Sequence, residues 1–270
     1  MQRIILYVDG FNFYYGVTAY WRDKNEKMAG LGWCDFHALV KRHFPTPDGQ
    51  LEVKYFTAPV YPSDEIPRHK PDEHKRYHVW SRAVRTIPGI TVIEGRHQRK
   101  ADKKAYGEVI DRDAPAKSRQ EKQTDINLAV EIMLDAKSSQ PPDQVYFLSD
   151  DRDLIPVVFA LLERLSKPIP VVVLLPSQGD TQKWIESYRE TAERLVSCGL
   201  VDQKSFTRVP TIKRLDEKML ASSLLRYALR DREGEFECLD EWRLEPAFLK
   251  RHCSNEAWRP DIDNARGHAV

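Results

Sequence analysis

The 270-residue chain has no apolar run approaching the roughly 20 residues that a membrane-spanning helix needs. Its four cysteines, Cys34, Cys198, Cys238 and Cys253, form no Cys-x-x-Cys pair and have no histidine at zinc-finger spacing. That scatter argues against a zinc site and against a disulfide framework. Glycine is sparse, at 12 residues, and no Gly-x-Gly-x-x-Gly or Walker phosphate loop follows a strand-like run, so the fingerprints of a bound dinucleotide or nucleoside triphosphate are missing. There are no internal repeats or low-complexity tracts. No signal-peptide pattern precedes the strand-like run that begins at Arg3, so the expected location is cytoplasmic, with no membrane partner. Charge of one sign is also lacking. Lys and Arg number 42 against 41 Asp and Glu, and this net +1 decides nothing about a nucleic-acid partner. With 41% hydrophobic residues and a mean hydropathy of -0.58, the composition predicts a soluble protein that buries a sizeable core in one large domain, or in one domain plus an appendage.

What the chain does have is carboxylate at the ends of its strongest local patterns. Ile4-Ile5-Leu6-Tyr7-Val8-Asp9-Gly10-Phe11-Asn12 is an apolar run that stops at an acid. Glu121-Lys122-Gln123-Thr124-Asp125 precedes an apolar-periodic stretch, and Val145-Tyr146-Phe147-Leu148-Ser149-Asp150-Asp151-Arg152-Asp153 again ends in acids. Carboxylates that gather without matching cations repel one another, and a bound divalent metal relieves the repulsion.

Short β-branched or aliphatic runs at residues 3–8, 52–58, 90–94, 145–149 and 169–175 alternate with amphipathic stretches at 11–22, 35–44, 71–86, 124–136, 155–165 and 182–196. This alternation predicts an α/β fold with a central parallel sheet and helices on both faces. Ile126, Ala129, Val130 and Met133 recur at helical spacing after Asp125, as do Ile155, Val158, Phe159 and Leu162 after Asp153. Both acidic groups are then expected where a sheet edge meets a helix N-terminus, the edge at which open α/β sheets bind ligands. Residues 95–120 read as a long polar loop beside that edge, and residues 20–32 as a second loop. The alternation fades after about residue 206, so residues 1–205 read as the domain and 206–270 as a C-terminal appendage whose last residues are expected to be disordered.

Metal-assisted hydrolysis of a phosphodiester needs rigidly held oxygen ligands, and Mg²⁺ or Mn²⁺ suits carboxylates. Asp9, Asp125, Asp151 and Asp153 supply such groups on three separate elements, where a metal-activated water would attack phosphorus. Asn12, three residues after Asp9, falls on the same side of the first helical turn and would orient a water or bind the phosphate. Ser149 would either hydrogen-bond a phosphate oxygen or fix a carboxylate. Asp151 and Asp153 are two apart and can face one ion within a turn, which leaves Asp150 to cap the helix that Pro156 helps begin. Each acid taken alone has a plainer reading as a cap or turn residue. Only the coincidence of three such ends favours a site.

Between Arg68 and Lys104, eleven Lys or Arg stand against four Asp or Glu. Arg99, Lys100, Lys103 and Lys104 would meet substrate phosphates there, and Lys122 would contact a phosphate or hold Asp125. A solvated charged face is the plain alternative. Tyr14, Tyr15, Tyr20 and Trp21 could stack bases near the edge, with about half of them belonging instead to the core. His74 and His78 share a helix face but lack the glutamate and third ligand of a zinc hydrolase.

The three acidic patterns resemble the motifs of the NYN domain, a branch of the PIN-like nuclease superfamily: Val8-Asp9-Gly10-Phe11-Asn12, then Glu121 to Ala129, then Leu148 to Pro156. All three occur in order, over roughly residues 1–205. The resemblance implies a Rossmann-like three-layer α/β/α fold and an Mg²⁺- or Mn²⁺-dependent endoribonuclease site. It places the metal-site acids at Asp9, Asp125, Asp151 and Asp153, with Asn12 as the polar companion. Asp150 stands where the family commonly has glycine, and Leu154 where phenylalanine is common.

The leading expectation is therefore a metal-dependent endoribonuclease acting on single-stranded or structured RNA. Two rivals accompany it. One is an inactive RNA-binding or adaptor module, motivated by Asp150 and the charged loop. The other is an NADH-dependent pyridine-ring hydroxylase of the 6-hydroxy-3-succinoylpyridine monooxygenase type, a label that some chains with this domain carry. A hydroxylase needs a flavin, haem or redox iron, and neither a dinucleotide fingerprint nor a facial triad is present. A homo-oligomer or a recruiting protein partner is left open.

Overall fold

The first strand fixes the plan of the molecule. The structure, a computed structural model, describes residues 2–19, 30–46, 49–59, 73–99, 119–176, 180–201 and 208–252. In β1 (Gln2–Asp9), Ile4, Leu6 and Val8 enter one buried cluster while Ile5 and Tyr7 enter another. A strand buried on both faces is central, which accounts for its unbroken apolar run. Helix α1 (Gly10–Tyr14) starts at the strand's last residue, because the Asp9 side chain caps it. A Cβ on Gly10 would lie 2.5 Å from the carbonyl oxygen of Phe56, so only glycine lets the helix begin this close to the next strand.

The remaining elements, in chain order, are α2 (Phe36–His43), β2 (Gly49–Thr57), α3 (Glu73–Val84), β3 (Ile90–Glu94), β4 (Arg96–Arg99) and β5 (Arg119–Lys122). Then come α4 (Thr124–Ala136), β6 (Gln144–Leu148), α5 (Ile155–Phe159), β7 (Val171–Leu175) and α6 (Thr181–Ser197). The described chain closes with β8 (Thr211–Arg214), α7 (Glu217–Ala221), β9 (Ala228–Asp231), β10 (Gly234–Glu237) and α8 (Pro246–His252). Six strands form a parallel sheet in the order β3-β2-β1-β6-β7-β8. Helices α1, α2, α3, α7 and α8 contribute to one buried cluster and α4, α5 and α6 to the other, giving three α/β/α layers. Among the described residues no helix is long and apolar enough to cross a membrane.

Three expectations are refined. The predicted first helix and the helix after Asp153 both change pitch partway, passing into π turns at Tyr15–Ala19 and Ala160–Arg164. The stretch read as a 95–120 loop begins and ends in an antiparallel ribbon, in which β4 pairs with β5. The segment read as an appendage after residue 206 supplies β8, the sixth strand of the main sheet, and sends Leu215, Leu224, Trp242 and Phe248 into the main core.

A charged network seats α4 on the sheet. Asp135, near the helix C-terminus, accepts hydrogen bonds from the Tyr7 hydroxyl at 2.6 Å, Lys54 Nζ at 2.5 Å and Arg3 at 3.2 Å. Burial alone would raise its pKa, but the bonds from Lys54 and Tyr7 hold it below the ordinary carboxylate value. The other end of the same helix carries Asp125.

Candidate metal centre

The sheet order reverses direction of travel between β1 and β6, so the crossovers leave from opposite sides there. A crevice at such a switch point, beyond the strands' carboxyl ends, is where α/β sheets take ligands. Asp9 ends β1 and Ser149 follows β6 at this point. Asp9 is 4% exposed and both its oxygens are engaged. Oδ1 accepts the Asn12 backbone N–H at 3.0 Å, and Oδ2 accepts the Ser149 hydroxyl at 2.8 Å. The Ser149 oxygen in turn accepts the Asp151 N–H at 3.0 Å. Asn12 Oδ1 accepts the Asp150 N–H at 2.7 Å, so the end of β1 and the turn after β6 are tied twice. Of the two roles expected for Ser149, the structure shows the fixing of a carboxylate.

Asp125 reaches the crevice from the first turn of α4. Asp9, Asp125 and Asp151 each offer one carboxylate oxygen, and these oxygens lie within 4.8 Å of one another. Burial pushes the Asp9 carboxyl up to about 6, and the nearby charges of Asp125 and Asp151 add to the rise while the bonds from Asn12 and Ser149 oppose it. The cavity is about 330 Å³, at the low end of ligand-pocket sizes, roughly 300–1,000 Å³. Phe11, Asn12, Tyr15, Gly16, Asp9, Asp125, Asp150 and Asp151 line it, with no Lys or Arg among them. The three grouped aspartates form an all-oxygen donor set that could hold a metal ion.

The other predicted residues are placed differently. Asp153 is exposed, donates its backbone N–H to Asp151 Oδ1 at 2.9 Å, and stands outside the group of three. The expected cap at Asp150 falls instead to Asp151, which caps the 3₁₀ turn Arg152–Leu154. Asp150 lines the cavity, and burial raises its carboxyl pKa. Lys122 ends β5 and does not line the cavity. Arg99 ends β4, its side chain lying outside the description; Lys100, Lys103, Lys104, Tyr20 and Trp21 lie outside the described residues. Much of the basic surplus on α3 goes into ion pairs: Arg82 binds Asp231 through two bonds of 2.7 and 2.6 Å, and Arg76 binds Glu241. The His74 and His78 rings stack on each other at 6.2 Å.

Sequence reading did not single out Gln123, whose φ of 75° is the one positive value at a non-glycine among the described residues. It turns the chain from β5 into α4 two residues before Asp125. Glycine or asparagine would have signalled such a turn; glutamine does not.

No known protein-family model matches the chain. It is 26% identical over 208 residues to the 6-hydroxy-3-succinoylpyridine 3-monooxygenase HspA of Pseudomonas putida (strain DSM 28022 / S16), a match spanning 67% of this chain and 61% of that protein's length. It is also similar to a crystal structure of a protein of unknown function, VPA0982 of Vibrio parahaemolyticus RIMD 2210633. That likeness has a TM-score of 0.43 and 16% identity, over 80% of this chain and 94% of the other.

Proposed function

We propose that the chain is a divalent-metal-dependent endoribonuclease of the NYN, PIN-like kind, hydrolysing RNA phosphodiester bonds at the β1/β6 crevice. The observation that carries this reading is the convergence of Asp9, Asp125 and Asp151, from three separate elements, on one point at the switch of the sheet. Mg²⁺ or Mn²⁺ bound by these three would supply Lewis-acid stabilisation of the phosphoryl charge and activation of water. The chain's own residues do the positioning. Ser149 and the Asn12 N–H hold Asp9 in one orientation, and the Asn12 amide fixes the turn that presents Asp151. A cavity lined by four aspartates repels a phosphodiester, so substrate entry itself depends on the cation. Arg99, Lys100, Lys103 and Lys104 are the residues proposed to follow the RNA backbone, and Asp153 is retained as a supporting acid.

The test uses the full chain on labelled single-stranded RNA with Mn²⁺, Mg²⁺ or EDTA. Cleavage is expected with either metal and is expected to vanish in EDTA and in Asp9→Asn. Cleavage that persists under both of those conditions, or no cleavage with any metal, overturns the reading. The similarity to HspA favours a second reading, ring hydroxylation of a hydroxypyridine. It predicts NADH consumption with 6-hydroxy-3-succinoylpyridine and a redox chromophore in the purified protein.

A further inference from the structure

Arg76, Arg82 and Arg85, on and just after α3, each bind a carboxylate, those of Glu241, Asp231 and Glu94. The cations of the β4–β5 ribbon instead face each other. The backbone register sets Arg96 opposite Lys122 and Arg99 opposite Arg119, with His97 opposite Glu121 and Gln98 opposite Gln120 between them. Arg96 is exposed and Lys122 half-buried, and among the described residues neither pairs with a carboxylate. Like charges set directly opposite destabilise a pair of strands. The ribbon is a two-stranded sheet of its own, a kind that is marginal in water, so it has little stability to lose. Charge on a ribbon also blunts its open edges, but that needs charge at the edge and not one cation against another. An anion between the two side chains converts their repulsion into two charge-assisted hydrogen bonds.

The base of the ribbon adjoins the elements of the metal centre. Gly95, which precedes Arg96, donates its N–H to the Thr57 carbonyl at the end of β2, the strand beside β1. On the other strand, only Gln123 and Thr124 separate Lys122 from Asp125.

We propose that Arg96 and Lys122 form a cation clamp on a backbone phosphate of the RNA strand, outside the cavity and flanking the phosphate that the metal centre cleaves. The identity of the anion as RNA phosphate rests on the ribonuclease reading. The like-charge pairing rests on the register alone. Phosphate contacts position a strand without reading its bases, so the clamp holds the substrate in place and leaves its sequence free.

The test measures binding of a short labelled phosphorothioate RNA by fluorescence anisotropy in Mn²⁺, over a series of KCl concentrations. Mn²⁺ affinity is read separately by electron paramagnetic resonance. Each phosphate contact to a single strand contributes about 0.7 to the slope of log K against log salt, so Arg96→Gln with Lys122→Gln should flatten that slope by about 1.4. Arg96→Lys, which keeps the charge, should leave the slope at the parent value. Lys250→Ala with Arg251→Ala removes equal charge from the end of α8 and should leave it unchanged as well. Mn²⁺ affinity should survive in the double Gln variant. An unaltered slope in the double Gln variant, an equal flattening in the α8 variant, or loss of Mn²⁺ binding from the double Gln variant overturns the clamp. If the unaltered protein binds Mn²⁺ but no RNA at any salt, the ribonuclease reading fails together with the clamp, a result distinct from failure of the ribbon variants alone.

Discussion

Asp9 is the residue on which the energetics of the site turn. Its folded pKa of about 6 lies above the ordinary 3.8, so the folded chain holds that proton more tightly than the unfolded chain does. Stability of the metal-free protein should therefore be highest below pH 4 as far as this group is concerned. It should fall as pH rises towards 6, by roughly 3 kcal/mol in total. Above pH 6 the ionised carboxylate is a standing penalty that a bound cation relieves. Asp9→Asn removes the penalty while its Oδ1 can still cap α1. In EDTA at pH 7.5 this variant should melt above the parent, the gap closing as pH drops below 4. Mn²⁺ should raise the melting temperature of the parent alone. Thermal melts across pH with and without Mn²⁺ decide it, and identical curves for the two proteins in EDTA would sink the argument. At this scale the sequence was informative where an acid ends an apolar run, as at Asp9. It was ambiguous within Asp150, Asp151 and Asp153, because their orientations depend on bonds to Ser149 and to Asn12, the latter 138 residues away from Asp150.

At the scale of elements, the junction of the β4–β5 ribbon with α4 sets where Asp125 stands. Gly95, between β3 and β4, donates its N–H to Thr57 at 2.7 Å, and a Cβ added to it would lie 2.7 Å from both Lys122 O and Thr124 Oγ1. Thr124 is 1% exposed and immediately precedes Asp125, so the clash has no open space into which to relax. Gly95→Ala should cost about 1–3 kcal/mol, in the range of overpacked interiors. It should also weaken Mn²⁺ binding, because the backbone that moves is the one that presents Asp125. Urea melts paired with a Mn²⁺ titration test this; full stability with unchanged metal affinity would show that the junction yields without disturbing the site. The alternation of strands and helices was legible because buried parallel strands and amphipathic helices write different periods into the sequence. The ribbon was not legible. Its strands, Arg-His-Gln-Arg and Arg-Gln-Glu-Lys, carry no apolar alternation, and the turn into α4 is made by a glutamine in the left-handed region.

At the scale of the whole molecule, the question is whether the chain after residue 205 can be removed. In the sequence, residues 206–270 read as lying outside the domain because the alternation of strands and helices fades there, and the short β8 has the exposed, charged pattern of an edge strand. Yet β8 pairs in parallel with β7 from Val172 to Leu175 and covers what would otherwise be an open edge. Beyond it, Trp242 lies 5.7 Å from Trp33, and Leu220, Leu224, Leu244 and Leu249 are buried in the cluster that also holds Ile4, Leu6 and Val8 of β1. Arg82 and Arg76 of α3 are paired with Asp231 and Glu241 from the same segment, and would lose those ion pairs. Burying one large apolar side chain stabilises a fold by roughly 1.5–3 kcal/mol. Losing five such groups then removes an amount comparable to the entire stability of a typical domain, about 5–15 kcal/mol. A chain ending at residue 205 should accordingly lack a cooperative thermal transition and bind a hydrophobic dye, and its Mn²⁺ binding should be lost because the cluster that packs one face of β1 is left incomplete. Circular dichroism melts and dye fluorescence on the truncated and full chains make the comparison. A truncated chain that melts cooperatively and still binds Mn²⁺ would show that residues 1–205 fold alone, and that the C-terminal segment is an addition to a finished domain.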